Sequence, residues 1–522
     1  MPRRNTPHPH PKKSPVRHLR DTDRARPPPL ASALVHVLMI TLDQFRGDCL
    51  SAAGHPVVRT PFLDELAATG VRFARHYSQA TPCSPGRACL YTGTYQMNNR
   101  VVANGTPLDA RFDNVAKAAL RAGYRPALFG YTDQSIDPRE ANGPDDLRMQ
   151  HYTGVLPGFD PVLHIPDSHA PWLDFLAANG HPHLTAIEAL RTENQRPVEL
   201  GISSFLTDGA SDWLRSRPPS EPWFAHVSYL RPHPPYSAAG EFSTMYDPAD
   251  VSLPIPPPTK RHPFHEALLH IRQSAAPTDE RRMRALRAQY YGMVSEVDAQ
   301  LGRLWATLRD LDMWDDTIVI VTADHGEQLG DQGLIEKVGY FEESHHVVGL
   351  IRDPRHPGAH GTVVDAFTEN VDIFPTICEA IGVPVPAQCD GLPLTPYLCG
   401  QEPPWWREAA HWEYDWREQF IDGSPHDWPW DRRLERQHLA VIRDDRGAYV
   451  QFADGTWKCF DLATDPTWHT EITDPAVVLG YAQAMLLWRS HHSDRTHTDM
   501  LVQDGGVGRF PDPVMKVSVP DP

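Results

Sequence analysis

The segment CSPGRACLYTG (residues 83–93) holds a thiol and a fixed positive charge at a spacing that simple packing does not explain. Cys83 is followed by Pro85 two positions later and by Arg87 four positions later. A cysteine in an apolar core needs no arginine, and a disulfide needs a second cysteine with suitable geometry. The pattern therefore indicates a thiol that is placed for chemistry.

Two apolar runs far from this segment end in residues that bind metals. LVHVLMITLD ends at Asp43, and TIVIVTADHG carries Asp324 and His325 directly after its apolar part. Carboxylate and imidazole groups together form an N/O ligand set for a divalent cation. Alone, Asp43 is often only a helix cap or a turn residue, and a single DHG triplet is common. Their role as ligands depends on a fold that brings them together.

Helical and strand-like segments alternate through the first 400 residues. The stretches 61–77 and 114–132 each predict a helix, a glycine stop and a strand, and 222–230 predicts a further strand. Between 283 and 311 apolar residues recur three or four positions apart, which predicts one face of a long helix. This alternation predicts an α/β protein with a large, mostly parallel sheet sandwiched by helices.

The active groups of such a sheet lie beyond the carboxyl ends of its strands. Asp43, Tyr131 and Asp324 each follow a predicted strand. These residues are far apart in the sequence, and a parallel sheet would bring them to one edge. We therefore expect one site built from three distant segments.

The sequence changes in character after about residue 400. WWREAAHWEYDW, HLAVIRDD, AYVQFADG and WKCFDLATDP predict short antiparallel strands, and a helix is expected from about 476 to 489. The basic, proline-rich N-terminus is typical of a disordered segment. We thus expect a disordered extension over 1–30, a catalytic α/β domain over 31–400 and a small C-terminal α+β subdomain over 401–522. The stretches 155–200 and 254–265 are expected to form loops that shape the pocket or contact another subunit.

Composition limits the classes of partner. The chain has 522 residues, a formal net charge of −18 and seven cysteines. The charge argues against general binding to nucleic acid or anionic membranes, and no segment reaches the roughly 18 apolar residues of a membrane span. An odd number of cysteines without a CxxC pattern is typical of a reduced, cytoplasmic protein. ALVHVLMI (33–40) predicts a buried strand, with a secretion signal as the alternative.

The motif C-x-P-x-R at Cys83, Pro85 and Arg87, followed by LYTG, resembles the recognition motif of the sulfatase branch of the alkaline phosphatase superfamily. The resemblance covers most of the chain and includes TPFLDELAATGVRFARHYSQATPCSPGR, TADHGEQLGDQGLIEK, DIFPTICEAIGVPVPAQCDGLPLTP and CFDLATDP. It implies an alkaline phosphatase-like fold. It also implies that a formylglycine-generating enzyme oxidises Cys83 to Cα-formylglycine during maturation.

Within this family the chain is most similar to the phosphonate monoester hydrolases. Asp43 is followed by Gln44, whereas ordinary sulfatases usually carry a second acid there, and GYTD (130–133) stands where they carry a GKWH-like segment. YLRPHPPY (229–236) and QMNNRVVANGTPLD (96–109) also resemble the phosphonate hydrolase pattern. One residue departs from that pattern, because Asp133 follows GYT where these hydrolases tend to carry threonine. An extra acid there is expected to repel dianionic substrates or to shift the metal preference.

The resemblance implies a role for each candidate site residue. The implied metal ligands are Asp43, the modified Cys83, Asp324 and His325. Arg87 would hold the formylglycine, and the substrate's oxyanion and leaving group would be surrounded by Asn104, Tyr131, His233 and Lys337, with His233 as the general acid. The alternatives are a solvated loop lysine at 337, a packed loop histidine at 233, a turn residue at 104 and a solvent-facing arginine at 87.

The implied reaction is hydrolysis of a small anionic ester. A hydrated aldehyde on a divalent metal would attack phosphorus or sulfur, and its second hydroxyl would then expel the product. A histidine ligand favours a softer cation than calcium, so manganese is expected, with calcium or zinc as alternatives. The expected substrates are phosphonate monoesters and phosphodiesters, with promiscuous activity on sulfate esters. A dedicated arylsulfatase and a non-catalytic protein that keeps the fold are the alternatives, and a homo-oligomer is expected.

Overall fold

The computed structural model describes residues 35–149, 151, 153–218, 221–417, 436–493, 502–503 and 506–507. The extension predicted over 1–30 lies outside this part of the chain. The predicted domain boundary at residue 400 remains a prediction. Among the described residues, no helix combines the length and the apolar character needed to cross a membrane.

Strands and helices alternate through the first 380 residues, as the sequence predicts. The strands are β1 (His36–Leu42), β2 (Val71–Tyr77), β3 (Ala80–Thr81), β4 (Ala127–Gly130), β5 (Asp160–His164), β6 (Phe224–Tyr229), β7 (Thr317–Thr322), β8 (His346–Val347), β9 (Gly349–Arg352), β10 (Thr362–Glu369), β11 (Ala410–Asp415), β12 (His438–Arg443), β13 (Gly447–Phe452), β14 (Trp457–Asp461), β15 (Val502–Gln503) and β16 (Gly506–Val507). The helices are α1 (Pro61–Ala68), α2 (Cys83–Thr92), α3 (Gln96–Asn99), α4 (Val115–Arg121), α5 (Ala170–Ala178), α6 (Ala186–Arg191), α7 (Ile202–Arg215), α8 (Pro263–Leu268), α9 (Glu280–Asp310), α10 (Ile373–Ala380), α11 (Thr395–Leu398) and α12 (Pro475–His491).

Within the described residues, the main sheet has nine strands, in the order β10-β2-β9-β7-β1-β6-β4-β5 with β8 paired to β2. β1 is parallel to both β6 and β7, and β4 is parallel to both β5 and β6. The exceptions are β8 and β9, which pair antiparallel with their neighbours. The predicted large, mostly parallel sheet is confirmed.

Both faces of this sheet are covered by apolar side chains. In β1, Leu38 and Ile40 join the apolar cluster that includes the long helix α9, whereas Val37 and Met39 join the cluster on the opposite face. Successive side chains of a strand point to opposite faces, so a strand buried on both sides is apolar at nearly every position. This explains why the sequence of β1 is a continuous apolar run rather than an alternating one.

A second sheet carries the C-terminal strands in the order β14-β13-β12-β11-β3. Strands β11 to β14 pair antiparallel, as predicted, and α12 spans Pro475–His491, close to the predicted helix. The fifth strand, β3, was not predicted, and it pairs parallel with β11 through Ala80 and Thr81. The second sheet therefore includes the chain that immediately precedes Cys83.

Candidate active site

Four adjacent parallel strands deliver the candidate site residues to one edge of the main sheet. In the order β4-β6-β1-β7, these strands are followed by Tyr131, His233, Asp43 and the pair Asp324-His325. Because the strands run in the same direction, their carboxyl ends lie side by side. The sheet thus brings together segments that are nearly 300 positions apart in the sequence.

Asp43, Cys83, Asp324 and His325 form a tight, buried cluster. One potential ligand atom from each of the four residues lies within 4.8 Å of all the others. His325 Nε2 lies 3.3 Å from Cys83 Sγ, 3.8 Å from Asp43 Oδ1 and 3.7 Å from Asp324 Oδ2. The four residues that the sequence suggests as metal ligands are therefore close enough to share one ion.

Cys83 is the first residue of α2, where a helix favours negative charge. The helix approaches β7 closely because residue 86 is glycine. A Cβ atom at Gly86 would lie 2.4 Å from the carbonyl oxygen of Asp324 and 2.9 Å from that of Ala80. The glycine within the CSPGR motif thus permits contact between the start of α2 and the end of β7.

Arg87 lies one helical turn after Cys83 and is fully buried, so it does not face solvent. Its guanidinium donates hydrogen bonds to Asp324 Oδ2 at 2.8 Å and to Asp43 Oδ2 at 3.1 Å. It also donates to Ser228 Oγ at 2.8 Å and stacks over the ring of Tyr131. In this structure Arg87 joins the two carboxylates of the cluster, which was not anticipated.

His325 has the protonation expected of a metal ligand. Its Nδ1 lies 3.1 Å from the carbonyl oxygen of Gly326, which can accept only an N–H donor, so Nε2 faces the cluster as an acceptor. Burial and the charge of Lys337 lower the pKa of His325 to about 3, so the imidazole is neutral. A neutral imidazole with its lone pair directed at two carboxylates fits a divalent cation.

The charge balance of the cluster also favours a cation. Burial and the neighbouring carboxylate of Asp43 raise the pKa of Asp324 to about 6, although Arg87 opposes the shift. Burial acts against the charge of Asp43 as well, but His233 and Arg87 outweigh it and hold the pKa of Asp43 below its ordinary value. Two buried carboxylates in contact with one arginine are a suitable environment for a further positive charge.

The thiol of Cys83 is not set up to act as a nucleophile itself. Burial and the carboxylate of Asp43 raise its pKa well above the ordinary value. Reactive cysteines instead have a lowered pKa, because the thiolate is the reactive form. The environment of Cys83 agrees with a thiol that is a precursor of another group.

Lys337 and His233 form a proton-sharing pair beside the cluster. Lys337 Nζ lies 2.8 Å from His233 Nε2 and 2.8 Å from Gln44 Oε1. The Nδ1 of His233 lies 2.7 Å from the carbonyl oxygen of Pro234, so Nε2 accepts a hydrogen bond from the lysine ammonium. Burial and Lys337 lower the pKa of His233. Burial acts against the charge of Lys337, but Cys83 and Glu336 outweigh it and raise the lysine pKa.

Tyr131 and Asn104, the two predicted substrate contacts, contact the site in other ways here. The hydroxyl of Tyr131 donates to Asp43 Oδ2 at 2.6 Å. Asn104 Oδ1 accepts the backbone N–H of Ser84 at 3.0 Å. Both residues are therefore within the site, and both support the residues around the cluster.

Gln44 and Glu327 contribute to the site in ways that the sequence analysis missed. Gln44 donates to Glu327 Oε2 through its side chain and to Asp324 Oδ1 through its backbone. Glu327 Oε1 accepts the backbone N–H of Leu329 and of Glu336, each at 2.7 Å. These bonds fix the loop that carries Lys337. The position of Glu327 two residues after His325 was the one available signal, and it is a weak one.

A pocket of about 330 Å³ opens beside the cluster, a volume typical of small-ligand sites. Asp43, Cys83 and His233 lie in its wall together with Tyr131 and Asp133. The rest of its wall comes mainly from residues 153–190. Its apolar members are Ile165, Pro166, Ile187, Leu190, Leu230, Pro234 and Pro235, and its polar members are Thr153, Asp167 and His169. The cluster therefore borders a cavity that is large enough for a small organic ester.

Two protein-family models match the chain. The model described as "Sulfatase" matches residues 35–383, and the model described as "N-sulphoglucosamine sulphohydrolase, C-terminal" matches residues 330–484. The first match contains every candidate site residue. The second contains strands β11 to β14 and most of α12.

Relatives cover nearly the whole length of the chain. The "multifunctional alkaline phosphatase superfamily protein PehA" of Trinickia caryophylli is 36% identical over 502 residues, covering 89% of this chain and 96% of that protein. A crystal structure of the phosphonate monoester hydrolase of Agrobacterium radiobacter is similar with a TM-score of 0.83 and 40% identity, covering 91% of this chain and 100% of that one. The phosphonate monoester hydrolase SpPMH of Silicibacter pomeroyi is similar with a TM-score of 0.82 and 32% identity, covering 92% and 99%.

Proposed function

The chain belongs to the sulfatase family of the alkaline phosphatase superfamily and is a hydrolase of ester bonds, and we propose that it hydrolyses phosphonate monoesters and phosphodiesters, with additional activity on sulfate esters. The observation that supports this most strongly is the buried cluster of Asp43, Cys83, Asp324 and His325 at the wall of a pocket. The proposed substrate class comes from the similarity to phosphonate monoester hydrolases over nine tenths of the chain.

The family implies a divalent metal and a formylglycine derived from Cys83, and the residues of the site fit both. The cation would be held by Asp43, Asp324, His325 and residue 83, and would supply positive charge that acidifies a bound hydroxyl. The aldehyde, once hydrated, would supply two hydroxyl groups at the start of α2. We propose manganese as the cation, because a neutral imidazole favours a softer ion than calcium.

The chain's own residues would orient the substrate and move protons. Arg87 fixes Asp43 and Asp324 in position through its hydrogen bonds. His233 faces the pocket and would pass to the leaving oxygen a proton that it first receives from Lys337, whose ammonium contacts His233 Nε2. Asn104 holds the backbone of Ser84 next to residue 83.

The outer wall of the pocket supports a small, apolar alcohol as the leaving group. Ile187 and Leu190 of α6 line the cavity together with Pro234 and Pro235. Apolar side chains stabilise aryl or alkyl groups by removing them from water.

Rates on three matched aryl esters test the proposal. The full-length protein, produced together with a formylglycine-generating enzyme, is assayed on a phenylphosphonate monoester, a phosphodiester and a sulfate monoester of the same phenol. We expect turnover of the first two to exceed that of the sulfate. Mass spectrometry of the peptide with residue 83 and metal analysis accompany the assay. If only the sulfate ester turns over, the phosphonate assignment is wrong.

A dedicated sulfatase is the second candidate, because the matched family model is named for that activity. An unmodified thiol, no bound metal and no turnover would instead favour a non-catalytic protein. We also propose a cytoplasmic location and a homo-oligomeric assembly. The first is supported by the absence of any disulfide among the seven cysteines, all of which lie in the described part of the chain.

A further inference from the structure

Asp133 is a buried carboxyl group in the pocket wall that none of the proposed roles uses. Its side chain is only 3% exposed. Oδ2 lies 3.6 Å from Arg87 Nε, which is an ion-pair distance rather than a hydrogen bond. Oδ1 accepts no hydrogen bond from any group in the described residues. A buried polar atom without a protein partner needs an explanation, and here it borders a ligand cavity.

The position of Asp133 follows from the end of β4. After Gly130 the chain turns, and Asp133 has a φ of 50°, in the left-handed region. Aspartate and asparagine adopt this conformation more readily than most residues. Arg87 donates its shorter hydrogen bonds to Asp43 and Asp324. The arginine therefore does not fully compensate Asp133, and the carboxyl group adds negative charge to the pocket when it is ionised.

We propose that Asp133 makes the pocket selective for esters that carry a single negative charge. This inference rests on the proposed function and specifies its substrate class. The carboxylates of Asp43, Asp133 and Asp324 are set against Arg87, Lys337 and a divalent cation, and Glu336 lies 3.6 Å from Lys337 Nζ. The ionised carboxyl group of Asp133 therefore removes one unit of positive charge from the site. It repels a doubly charged phosphate monoester more strongly than a singly charged ester.

Two substrates of nearly equal shape separate charge from size. Phenyl methylphosphonate has a methyl group where phenyl phosphate has an oxygen, and it carries one negative charge. Phenyl phosphate loses its second proton with a pKa of about 6 and carries two charges above that pH. Burial, partly opposed by Arg87, raises the pKa of Asp133 to about 8. At pH 9 the phosphate is therefore doubly charged and most Asp133 side chains are ionised.

The test compares Asp133→Asn with the unmodified sequence at pH 9. Asparagine keeps the shape and tolerates the left-handed backbone. The ratio of kcat/KM for phenyl phosphate to kcat/KM for phenyl methylphosphonate should rise on the order of tenfold to a hundredfold, the size expected for one unit charge a few ångströms away. Asp167→Asn is the matched control. Asp167 borders the same pocket but is 37% exposed, so solvent screens it and the ratio should change less than about twofold.

Each remaining outcome contradicts a specific part of the inference. An unchanged ratio in Asp133→Asn overturns the selectivity role. Equal losses on both esters with a parallel loss of bound metal also overturn it, because Asp133 would then hold the cation. If the unmodified sequence hydrolyses neither ester, the proposed function fails, and calorimetric binding of the same two compounds at pH 9 decides the question for Asp133. Its replacement should then strengthen phenyl phosphate binding alone, and equal changes for both compounds would refute the inference.

Discussion

At the scale of single residues, the pairing of Lys337 with His233 determines where a proton is held. His233 lines the pocket, and Lys337 Nζ lies 2.8 Å from its imidazole. The histidine accepts a hydrogen bond in this arrangement, so it becomes a proton donor only when the lysine supplies the proton. Gln44 and the loop fixed by Glu327 hold Lys337 in this position.

Replacement of Lys337 should therefore affect substrates according to their leaving group. We expect Lys337→Met to reduce kcat/KM for a phenyl ester by on the order of a hundredfold. A 4-nitrophenyl ester should lose less than about tenfold, because its leaving oxygen needs less protonation. Steady-state kinetics on the two esters measure the difference. Lys260→Met, at an exposed position, is the control and should match the unmodified enzyme. Equal losses on both esters would show that Lys337 does not act through the proton.

The sequence predicts individual site residues only where a motif or a strand end marks them. Cys83 and Arg87 belong to a short motif, and Asp43, Asp324 and His325 follow apolar strands. The sequence does not reveal the contacts of Gln44, Glu327 and Ser228, because these contacts are tertiary hydrogen bonds. The two carboxylate contacts of Arg87 were likewise not foreseeable, since its partners lie on strands that only the fold brings together.

At the scale of elements, the contact between α2 and the end of β7 brings three members of the cluster together. The start of the helix holds residue 83, and the chain after β7 holds two further members of the cluster. The two elements approach each other at Gly86, where any side chain would collide with backbone atoms. Backbone collisions are relieved less readily than contacts with the end of a flexible side chain.

We expect Gly86→Ala to lower the melting temperature and to abolish most of the activity. The added Cβ would force α2 away from the carbonyl of Asp324, and overpacking of this kind typically costs about 1–3 kcal/mol. Calorimetry and metal analysis measure the effect. Gly480→Ala is the matched control, because nothing lies within 4 Å of its new Cβ and helix α12 should gain about 0.5–1 kcal/mol. An unshifted melting temperature in Gly86→Ala would contradict the close contact.

A second element-scale prediction concerns the start of α1. Asp298 of α9 accepts the backbone N–H groups of Leu63 at 2.7 Å and of Phe62 at 3.2 Å, and burial, partly opposed by these bonds, raises its pKa to about 7. The folded protein therefore keeps a proton that the unfolded chain loses above its ordinary pKa of 3.8. The contribution of Asp298 to stability is full below about pH 4 and is lost as the pH rises to about 7.

Asp298→Asn should remove this component of the pH dependence. Denaturant unfolding of the variant and of the unmodified sequence is compared at pH 5 and pH 8. The unmodified protein should lose more stability between these values than the variant does. Asp64→Asn provides a control at a neighbouring acid of α1. Equal pH dependence in Asp298→Asn and the unmodified protein would rule out a raised pKa at Asp298.

Helices and strands with a periodic or continuous apolar pattern are predictable from the sequence, but the pairing of one strand with another is not. The long helix α9 was expected from the recurrence of apolar residues every three or four positions, and β1 and β7 from continuous apolar runs. Strand β3 has only two residues, Ala80 and Thr81, and no pattern of its own. Its existence depends on β11, more than 300 positions later, and a local pattern contains no such information.

At the scale of the whole molecule, the second sheet is attached to the catalytic region through the chain before Cys83. Ala80 pairs with Glu413 and Thr81 with Tyr414, and the backbone of Glu413 donates to the carbonyl of Gln79 at 2.9 Å. A C-terminal strand is therefore paired with the chain that immediately precedes the reactive position. In the finished fold Cys83 is 4% exposed and Arg87 is fully buried.

We expect this burial to set the order of maturation. If an oxidising enzyme converts Cys83, it should reach the thiol before β11 pairs with β3. Protein produced without that enzyme should stay inactive when the enzyme is added to the native state. It should be converted when the same sample is first unfolded, as intact-mass measurement would reveal. Conversion of the native sample would mean that the segment with Cys83 opens spontaneously. A chain that was not oxidised during synthesis could then still be oxidised after folding.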